Sequence, residues 1–590
     1  MIDRKKLRPA HLLRRVWGGD QGAASEQRRF GAIDLLVIIG VGGLLFGVLG
    51  VAHEWRGELR PTIDIDLSPS SLFKYAFFSL SRGLTAYVLS LIFTLTYGFW
   101  AAKDHVAERL LVPLLDILQS IPVLGFMPGL VLALVALFPT SNTGLELAAV
   151  LMIFTGQAWN MTFSFYHSLR SVPADQREVA ALYKFGWWRR LQSVELPFAT
   201  TGLVWNSMMS MAGGWFFLMI NEAFVLGDKD FRLPGLGSYM SVAVARGNVS
   251  AMLWAMLAMA TMIVLLDQVL WRPLVVWAQK FRVEEGGSGQ LMSSWVLNIL
   301  RRSTLVAAAG RALRRALPSS TTKAVARSAQ SSSPPSPFRR FATVAFPFVF
   351  LGALLLLLAA GGVRLVHLLR NVPLHTWGST FELGLLTLGR VLLATCIGTL
   401  WALPAGLAIG LSPRLSRVLQ PVVQVLASFP APMLFPMAIA VLKVVHVPLG
   451  WGSIVLMLLG TQWYILFNVL AGATSVPSDL REAATSYRLG RVQKFWKLYV
   501  PAVFPYLVTG WVTATGGAWN ASIVAEYVTF RGEVLTAPGL GSQISVAAEH
   551  ANLPMLAASV VTMSVLVVAF NRTVWRNCYR VAESRFSLNK

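Results

Sequence analysis

Hydrophobic stretches of about 20 residues alternate with polar segments along nearly the whole chain. Ile33–Ala52, for example, contains Asp34 as its one ionisable residue. A helix of about 20 apolar residues crosses the roughly 30 Å hydrocarbon core of a bilayer. The pattern predicts six such spans in each half, at 33–52, 80–102, 110–138, 145–166, 198–224 and 251–275, and at 342–362, 384–411, 417–447, 451–470, 503–529 and 555–575. The third span of each half is long, and we expect its prolines to break it.

The two halves repeat one another. Arg82, Pro113, Ser120, Pro122 and Pro128 recur 308 residues later as Arg390, Pro421, Ser428, Pro430 and Pro436. After a deletion the spacing becomes 304, which relates Trp159, Glu178, Pro197, Trp215 and Glu222 to Trp463, Glu482, Pro501, Trp519 and Glu526. Because each half has an even number of predicted spans, we expect parallel repeats with a pathway between them.

Composition and charge agree with a membrane protein. Of the 590 residues, 55% are hydrophobic and 13% are charged, with a formal net charge of +23. Basic residues concentrate before the first span, between the halves and in two long polar loops, whereas 53–79 has four acidic residues and only three basic ones. The positive-inside rule then predicts a multi-pass membrane protein with both termini, the linker and both polar loops in the cytoplasm. This distribution argues against a nucleic-acid partner, and neither of the two cysteines predicts a disulfide.

We therefore divide the chain into four parts. Residues 1–32 are a basic cytoplasmic tail, 33–282 the first repeat, 283–341 a cytoplasmic linker and 342–590 the second repeat. The Ser/Pro-rich run Ser331–Pro337 is typical of a flexible linker. Trp295–Ala316 combines apolar residues with arginine pairs. It either lies on the anionic inner leaflet or is a solvated basic segment, and the sequence does not decide between them.

The polar loops, residues 168–197 and 472–501, contain matching motifs. Val172–Ala181 and Val476–Thr485 each place a proline and then acidic residues where a helix would begin. Proline suits the first helical turn and acids complement the helix dipole, so we expect a short cytoplasmic helix in each loop. Loops that merely cap two spans would carry a similar pattern. Their length of about thirty residues favours a functional role, because short connections are the norm.

These loops resemble the EAA loop of ABC-transporter permeases, through which a separate ATPase drives the membrane subunit. The intact features are the spacings from Glu178 to Pro197 and from Glu482 to Pro501. The sequence departs from the pattern at Val179, and again where Lys184 and Arg488 replace its glycine, which allows the following bend to shift. The resemblance implies that ATPase coupling is carried by Asp175, Glu178, Ala180, Gly186, Asp479, Glu482, Ala483, Ala484 and Gly490.

Within these permeases, the chain is most similar to the duplicated branch of the nitrate/sulfonate/taurine/bicarbonate group. The features that carry this resemblance are Gly213–Phe216, Gly516–Ser522 and the Pro-Gly-Leu-Gly-Ser segments at Pro234–Ser238 and Pro538–Ser542. The resemblance implies an all-α polytopic fold with 12 transmembrane helices, arranged as two parallel six-helix repeats of a type I ABC importer. It also implies a location in a bacterial-type plasma (inner) membrane. The expected partners are two cytoplasmic ATPase domains and a periplasmic or lipid-anchored binding protein that delivers a small anion.

Polar residues inside spans are costly, so we treat them as candidates for the translocation pathway. They are Arg82, Ser120, Trp215, Asn221, Glu222, Arg390, Ser428, Trp519, Asn520, Ser522 and Glu526. Alternatively, the arginines and glutamates among them neutralise one another. No metal site, catalytic residue or cofactor is expected in this chain, since ATP and Mg²⁺ would bind to the partner ATPase.

Two other functions fit the same spans less well. An ion-coupled secondary transporter without an ATPase needs carboxylates at mid-membrane, for which Asp116 and Asp267 are the candidates. A membrane-embedded enzyme needs a catalytic motif, and the sequence has no His-Glu-X-X-His, nucleophile elbow or clustered metal ligands.

Overall fold

The computed structural model describes residues 32–57, 63–226, 229–281, 294–305 and 359–586, together with positions 308, 352 and 356. The predicted tail, most of the linker and the predicted span 342–362 lie largely outside the described residues. The helices of the first repeat are α1 (Ala32–Arg56), α2 (Leu72–Phe93), α3 (Phe99–Lys103), α4 (His105–Ser120), α5 (Val123–Leu137), α6 (Thr143–Arg170), α7 (Ala174–Leu182), α8 (Trp187–Arg190), α9 (Leu196–Asn221), α10 (Leu236–Ala245), α11 (Val249–Leu266) and α12 (Arg272–Ala278).

The remaining helices follow the same order in the second repeat. They are α13 (Trp295–Arg302) in the linker, α14 (Ala359–Leu369), α15 (Leu374–Leu411), α16 (Pro413–Ser428), α17 (Ala431–Val444), α18 (Leu449–Thr474), α19 (Ser478–Ser486), α20 (Arg491–Lys494), α21 (Val500–Ala525), α22 (Leu540–Glu549), α23 (Leu553–Phe570) and α24 (Arg576–Arg585). Eight of the described helical segments are long and apolar enough to span a membrane, or nine if α16 and α17 form one broken span. The all-α polytopic fold is confirmed, and the count of twelve spans stays a prediction.

Proline breaks the third span of each repeat, as the sequence predicts. α4 ends at Ser120 and α5 begins at Val123, with Pro122 in extended conformation at the N-cap. In the second repeat, Pro430 has the same role, and α16 and α17 are bent by 85°. The amide nitrogen of proline has no hydrogen to donate, so its position just before a helix costs no helical hydrogen bond.

Several helices contain one wider π turn. These turns lie at Thr94–Gly98, Leu191–Glu195 and Asp267–Trp271 in the first repeat, and at Phe495–Tyr499 and Asn571–Trp575 in the second. The last two recur at the 304-residue spacing of the first repeat's second and third turns. Such turns are rare in helices, and they are concentrated at functional sites.

Each repeat also contains a two-stranded hairpin that the sequence reading missed. β1 (Ala223–Leu226) pairs with β2 (Lys229–Arg232), and β3 (Tyr527–Phe530) pairs with β4 (Glu533–Thr536), both antiparallel. Arg531 and Gly532 both have positive φ (52° and 77°), as a two-residue type I′ turn requires. Each hairpin directly follows the helix that ends beside Glu222 or Glu526.

The fifth span of each repeat packs on the third span of the other. α9 of the first repeat packs on the broken span α16–α17 of the second, and α21 of the second packs on α5 of the first. Gly125 at the start of α5 permits a close approach, because a Cβ there would lie 2.9 Å from Val560 Cγ2. One hydrophobic core therefore extends through both repeats.

The linker helix α13 is attached to the first repeat at both ends. At its start, Trp295 Nε1 donates to Gln268 Oε1 at 3.0 Å. Beyond its end, Ser303 Oγ and the Thr304 amide donate to Asp34 Oδ1 at 2.7 and 2.9 Å. The buried carboxylate of Asp34 thus bonds the linker to the first span.

Candidate functional site

A cavity of about 170 Å³ lies between the two repeats. Its wall is built from the broken third spans and the fourth and fifth spans of both repeats, together with the sixth span of the second repeat. The polar side chains on the wall are Gln119, Thr155, Trp159, Asn160, Gln424, Ser428, Thr461, Trp463, Tyr464, Thr513, Thr515, Trp519, Asn520 and Asn571. Among the described residues that line it, none is charged. The cavity therefore offers neutral amide, hydroxyl and indole groups to a ligand.

The two sides of the cavity differ chemically. Asn160 of the first repeat faces the cavity where the second repeat has Tyr464, and Asn520 of the second has Phe216 as its counterpart. Trp463 Nε1 donates to the Leu459 carbonyl at 3.1 Å. The equivalent Nε1 of Trp159 is buried, and no described group accepts its hydrogen. The two equivalent indoles on the cavity wall thus differ in hydrogen bonding.

Three of the predicted pathway residues line this cavity. They are Ser428, Trp519 and Asn520. The hydroxyl of Ser428 donates to the Gln424 carbonyl at 2.8 Å. Asn520 Oδ1 accepts from the Leu124 amide at 3.4 Å and so connects the repeats directly. The side chain of Ser120, at the end of α4, is outside the described part of the structure.

Arg82 and Glu222 instead lie in a buried network, the first latch, formed by Ser79, Arg82, Glu146, Glu222 and Pro234–Ser238. Arg82 donates to both carboxylate oxygens of Glu146 at 2.6 Å and, through Nη1, to Glu222 Oε1 at 2.7 Å. Glu222 Oε2 accepts from the Gly237 amide at 2.7 Å. A Cβ at Gly235 would lie 2.2 Å from the Glu222 carboxyl carbon, which explains the glycine. The latch joins the second, fourth and fifth spans to the Pro-Gly-Leu-Gly-Ser loop.

The second repeat has a similar network, the second latch, formed by Thr387, Arg390, Gly450, Glu526 and Pro538–Ser542. Arg390 Nη1 donates to Glu526 Oε1 at 2.7 Å, and the Gly541 amide donates to Glu526 Oε2 at 2.8 Å. The second latch lacks a counterpart of Glu146, since that position is Gly450. Its carbonyl accepts from Arg390 Nε at 3.1 Å instead. Arg390 is 12% exposed, whereas Arg82 is 1% exposed.

The other predicted pathway residues are buried away from the cavity wall. Trp215 packs on Gly83, where a Cβ would lie 2.9 Å from Trp215 Cζ3. Ser522 donates to the Trp519 carbonyl at 2.8 Å within its own helix. Asn221 is buried, and in the described part of the chain its side-chain amide has no hydrogen-bond partner. Its counterpart in the second repeat is Ala525.

The two polar loops form the expected helices, α7 and α19. Ala180 and Ala484 are buried and hold each helix against the protein. Asp175, Glu178, Asp479 and Glu482 are exposed, as are Ala483, Gly186 and Gly490. No described basic residue lies within ion-pair distance of the four carboxylates. Each helix therefore presents two unpaired acids to solvent.

The bend after each loop helix stays where the EAA pattern has its glycine. Lys184 and Arg488 have positive φ (48° and 52°), a region that costs a non-glycine residue about 1–2 kcal/mol. The Phe185 amide donates to the Ala180 carbonyl at 2.9 Å and the Lys184 amide to the Ala181 carbonyl at 2.9 Å, which is a Schellman motif. The second loop repeats this motif. Gly186 and Gly490 have ordinary negative φ and are the N-cap residues of α8 and α20.

Sequence reasoning missed two sets of residues. Glu146 has no counterpart in the second repeat, so the repeat comparison gave it no signal, although an acid at the start of an apolar span was a clue. Gln119, Asn160 and Gln424 were overlooked because a neutral amide in a span draws less attention than a charge. Two signals were available. Gln119 and Gln424 lie close to prolines of the broken third spans, and Asn160 directly follows the repeated Trp159.

A family model described as "Binding-protein-dependent transport system inner membrane component" matches residues 94–270 and again 394–574. The taurine transport system permease protein TauC of Escherichia coli is 29% identical over 184 residues, which are 31% of this chain and 61% of that protein. The nitrate import permease protein NrtB of Leptolyngbya laminosa is 28% identical over 143 residues, covering 24% of this chain and 50% of that protein. The bicarbonate transport system permease protein CmpB of Synechocystis sp. is 30% identical over 144 residues, again 24% and 50%. These alignments span about half to six-tenths of each relative.

Proposed function

Because this chain belongs to the family of binding-protein-dependent transport inner membrane components and contains the family domain twice, we propose that it is a fused permease pair of an ATP-driven importer. One chain then supplies both walls of the translocation pathway. The cavity between the repeats is the observation that carries this proposal, because equivalent elements of both repeats line it.

The proposed substrate is a small anion that carries oxygen acceptors. The relatives are named for taurine, nitrate and bicarbonate, each of which has a group of this kind. The cavity offers several neutral donors, among them the side chains of Asn160 and Asn520. Hydrogen bonds from neutral groups hold an anion more weakly than a buried arginine would. A pathway must bind its substrate and then release it, and neutral donors suit both steps.

We propose that α7 and α19 transmit the movement of two separate ATPase domains. Asp175 and Glu178 on one helix and Asp479 and Glu482 on the other would meet the ATPase surface on the cytoplasmic side. Closure of the ATPase pair would bring the two helices together, and the repeats would rock about the cavity, opening it to each side in turn. A periplasmic or lipid-anchored binding protein would deliver the substrate to the face that carries the hairpins.

The function predicts a stable complex with an ATPase. Affinity purification of the tagged chain from solubilised membranes is expected to recover a stoichiometric ATPase subunit, and the eluate is expected to hydrolyse ATP. Intact chain recovered without any ATPase would contradict the proposal. It would favour the ion-coupled secondary transporter, and Asp116 and Asp267 would then be the residues to substitute.

A second prediction concerns the cavity. In the described part of the structure, the side-chain amide of Asn160 has no protein hydrogen-bond partner and so is free to donate to the substrate. Because a hydrogen bond to a charged group contributes about 1.5–3 kcal/mol, Asn160→Ala is expected to raise the KM of uptake by roughly tenfold or more. The measurement is anion uptake into proteoliposomes that contain the permease and its ATPase.

Asn221→Ala is the matched control for this cavity prediction. It makes the same chemical change in the same repeat, but at a buried position outside the cavity that is alanine in the second repeat. Uptake by this variant is expected to keep the wild-type KM. Equal changes in the two variants would contradict the assignment of Asn160 to the pathway.

A further inference from the structure

A second, larger cavity of about 620 Å³ lies beside the loop helix of the first repeat. Its size is within the range of about 300–1,000 Å³ found for small-molecule sites. Four basic residues line it, together with one carboxylate and two aromatic side chains. They are Lys103, Arg170, Arg177, Arg190, Glu195, Phe185 and Trp187. The walls are therefore mainly cationic.

The carboxylates of the described residues do not balance these cations. Lys103 Nζ and Arg190 Nε share one oxygen, Glu195 Oε1, at 2.5 and 2.8 Å. Arg170 pairs with Glu108 at 3.2 Å. No described carboxylate lies within ion-pair distance of Arg177, which is exposed. Lys103, Arg170, Arg177 and Arg190 thus face only two carboxylates, and the cavity has a surplus of positive charge.

This cavity belongs to the first repeat. The positions equivalent to Lys103, Arg170 and Glu195 are Leu411, Thr474 and Tyr499, so two of the cations and the shared carboxylate are absent from the second repeat. Arg177 and Arg190 correspond to Arg481 and Lys494, which keep their charge. A general need for positive charge on this face therefore does not explain Lys103 and Arg170, because the second repeat lacks both.

The cavity lies at the membrane boundary. Lys103 is the last residue of one apolar span and Trp187 the first residue of another. Trp187 stands edge-on to Phe99, with ring centroids 5.7 Å apart, and it is 62% exposed. Basic pockets between spans on the cytoplasmic side of a membrane are suited to anionic headgroups. Guanidinium groups also pair well with phosphate, because they donate two parallel hydrogen bonds.

We propose that this cavity is a binding site for a phosphate-bearing anion, placed beside the first loop helix. Arg177 and Arg190 bind the phosphate, Lys103 and Arg170 contribute positive potential, and Phe185 and Trp187 form the apolar wall. Because Arg177 is part of α7 and Lys103 ends an apolar span, a bound anion would connect that helix to that span. The phosphate belongs either to an anionic phospholipid or to a soluble cytoplasmic molecule.

Two binding measurements on the full chain test this proposal. In nanodiscs, native mass spectrometry would count phosphatidylglycerol molecules retained against a phosphatidylcholine background. Equilibrium dialysis with labelled inorganic phosphate, in phosphatidylcholine alone, would detect a soluble ligand. Saturable binding of about one phosphatidylglycerol per chain supports the site with a lipid source, and saturable phosphate binding supports it with a soluble source. No saturable binding of either probe overturns the proposal.

Variants locate the binding. Arg177→Gln with Arg190→Gln is expected to weaken it by roughly tenfold, since each basic residue near the surface contributes appreciably to anion attraction. Arg481→Gln with Lys494→Gln makes a similar change at the equivalent positions and is expected to leave binding at the wild-type level. An equal loss in both pairs means general charge attraction and overturns the proposal. Because Arg190 contacts the buried Glu195, Arg177→Gln alone, compared with Arg481→Gln, gives the same test with the ion pairs intact.

Discussion

Replacement of Arg82 by methionine is expected to lower the free energy of unfolding by about 3–5 kcal/mol, because two buried carboxylates lose their common partner. Glu146 and Glu222 are 1% and 0% exposed, so water cannot replace the guanidinium without opening the packing. The remaining donors to Glu222, Ser79 Oγ and the Gly237 amide, are neutral. Denaturant titration of the purified chain in mixed micelles measures the change.

Arg390→Met provides the matched control for the first latch. It removes the equivalent side chain from the second latch, where Glu526 is the one carboxylate and the arginine is partly exposed. A smaller loss is expected. The triple variant Arg82→Met, Glu146→Gln, Glu222→Gln should recover part of the stability, because it removes the unpaired charges. A loss below about 1 kcal/mol for Arg82→Met, or a larger loss for Arg390→Met, would contradict the role of the first latch.

Reversing one acid on each loop helix, Glu178→Lys with Glu482→Lys, is expected to abolish stimulation of the ATPase by substrate. Both side chains are exposed and the described residues offer them no ion-pair partner, so the folded chain itself does not need their charge. If the acids of both helices meet basic groups of the ATPase, the lysines face like charges at both contacts. Like charges across an interface cost several kcal/mol. The measurement is ATP hydrolysis and uptake in proteoliposomes.

Glu583→Lys is the control for this coupling prediction. Glu583 is also exposed on a helix, α24, but lies outside both loops. It is expected to keep ATPase stimulation, and all variants should insert into the membrane normally. Unchanged ATP-dependent uptake by the double variant would exclude the two glutamates from coupling.

The features that the sequence could predict are those with a strong periodic or covalent signal. The apolar spans, the repeat spacing and the breaks at Pro122 and Pro430 fall into this class. The pairing of Arg82 with Glu222 was also predictable, as the alternative to a role in the pathway. The loop helices were predictable because Pro173 and Pro477 mark their starts.

Other features depend on contacts that the sequence does not reveal. The EAA pattern has a glycine at the bend where this chain has Lys184. The Schellman hydrogen bonds maintain the bend although the residue is lysine. The hairpins contain only four residues per strand, too few for a clear alternation. Arg82 was a candidate for the translocation pathway, but it donates to Glu222 and to Glu146, a residue without a counterpart in the second repeat. The cavity wall depends on which neutral side chains of two distant repeats come together.

The unequal walls of the central cavity have a stereochemical consequence. In a pair of identical subunits, a ligand on the twofold axis meets the same groups whichever way round it lies. Here, the wall beside one end of the ligand has Asn160, and the equivalent position beside the other end has Tyr464. Asn520 and Phe216 form a second unequal pair. A molecule with two different ends therefore has one preferred direction in this cavity, and fusion of the two repeats in one polypeptide makes that direction the same in every copy of the transporter.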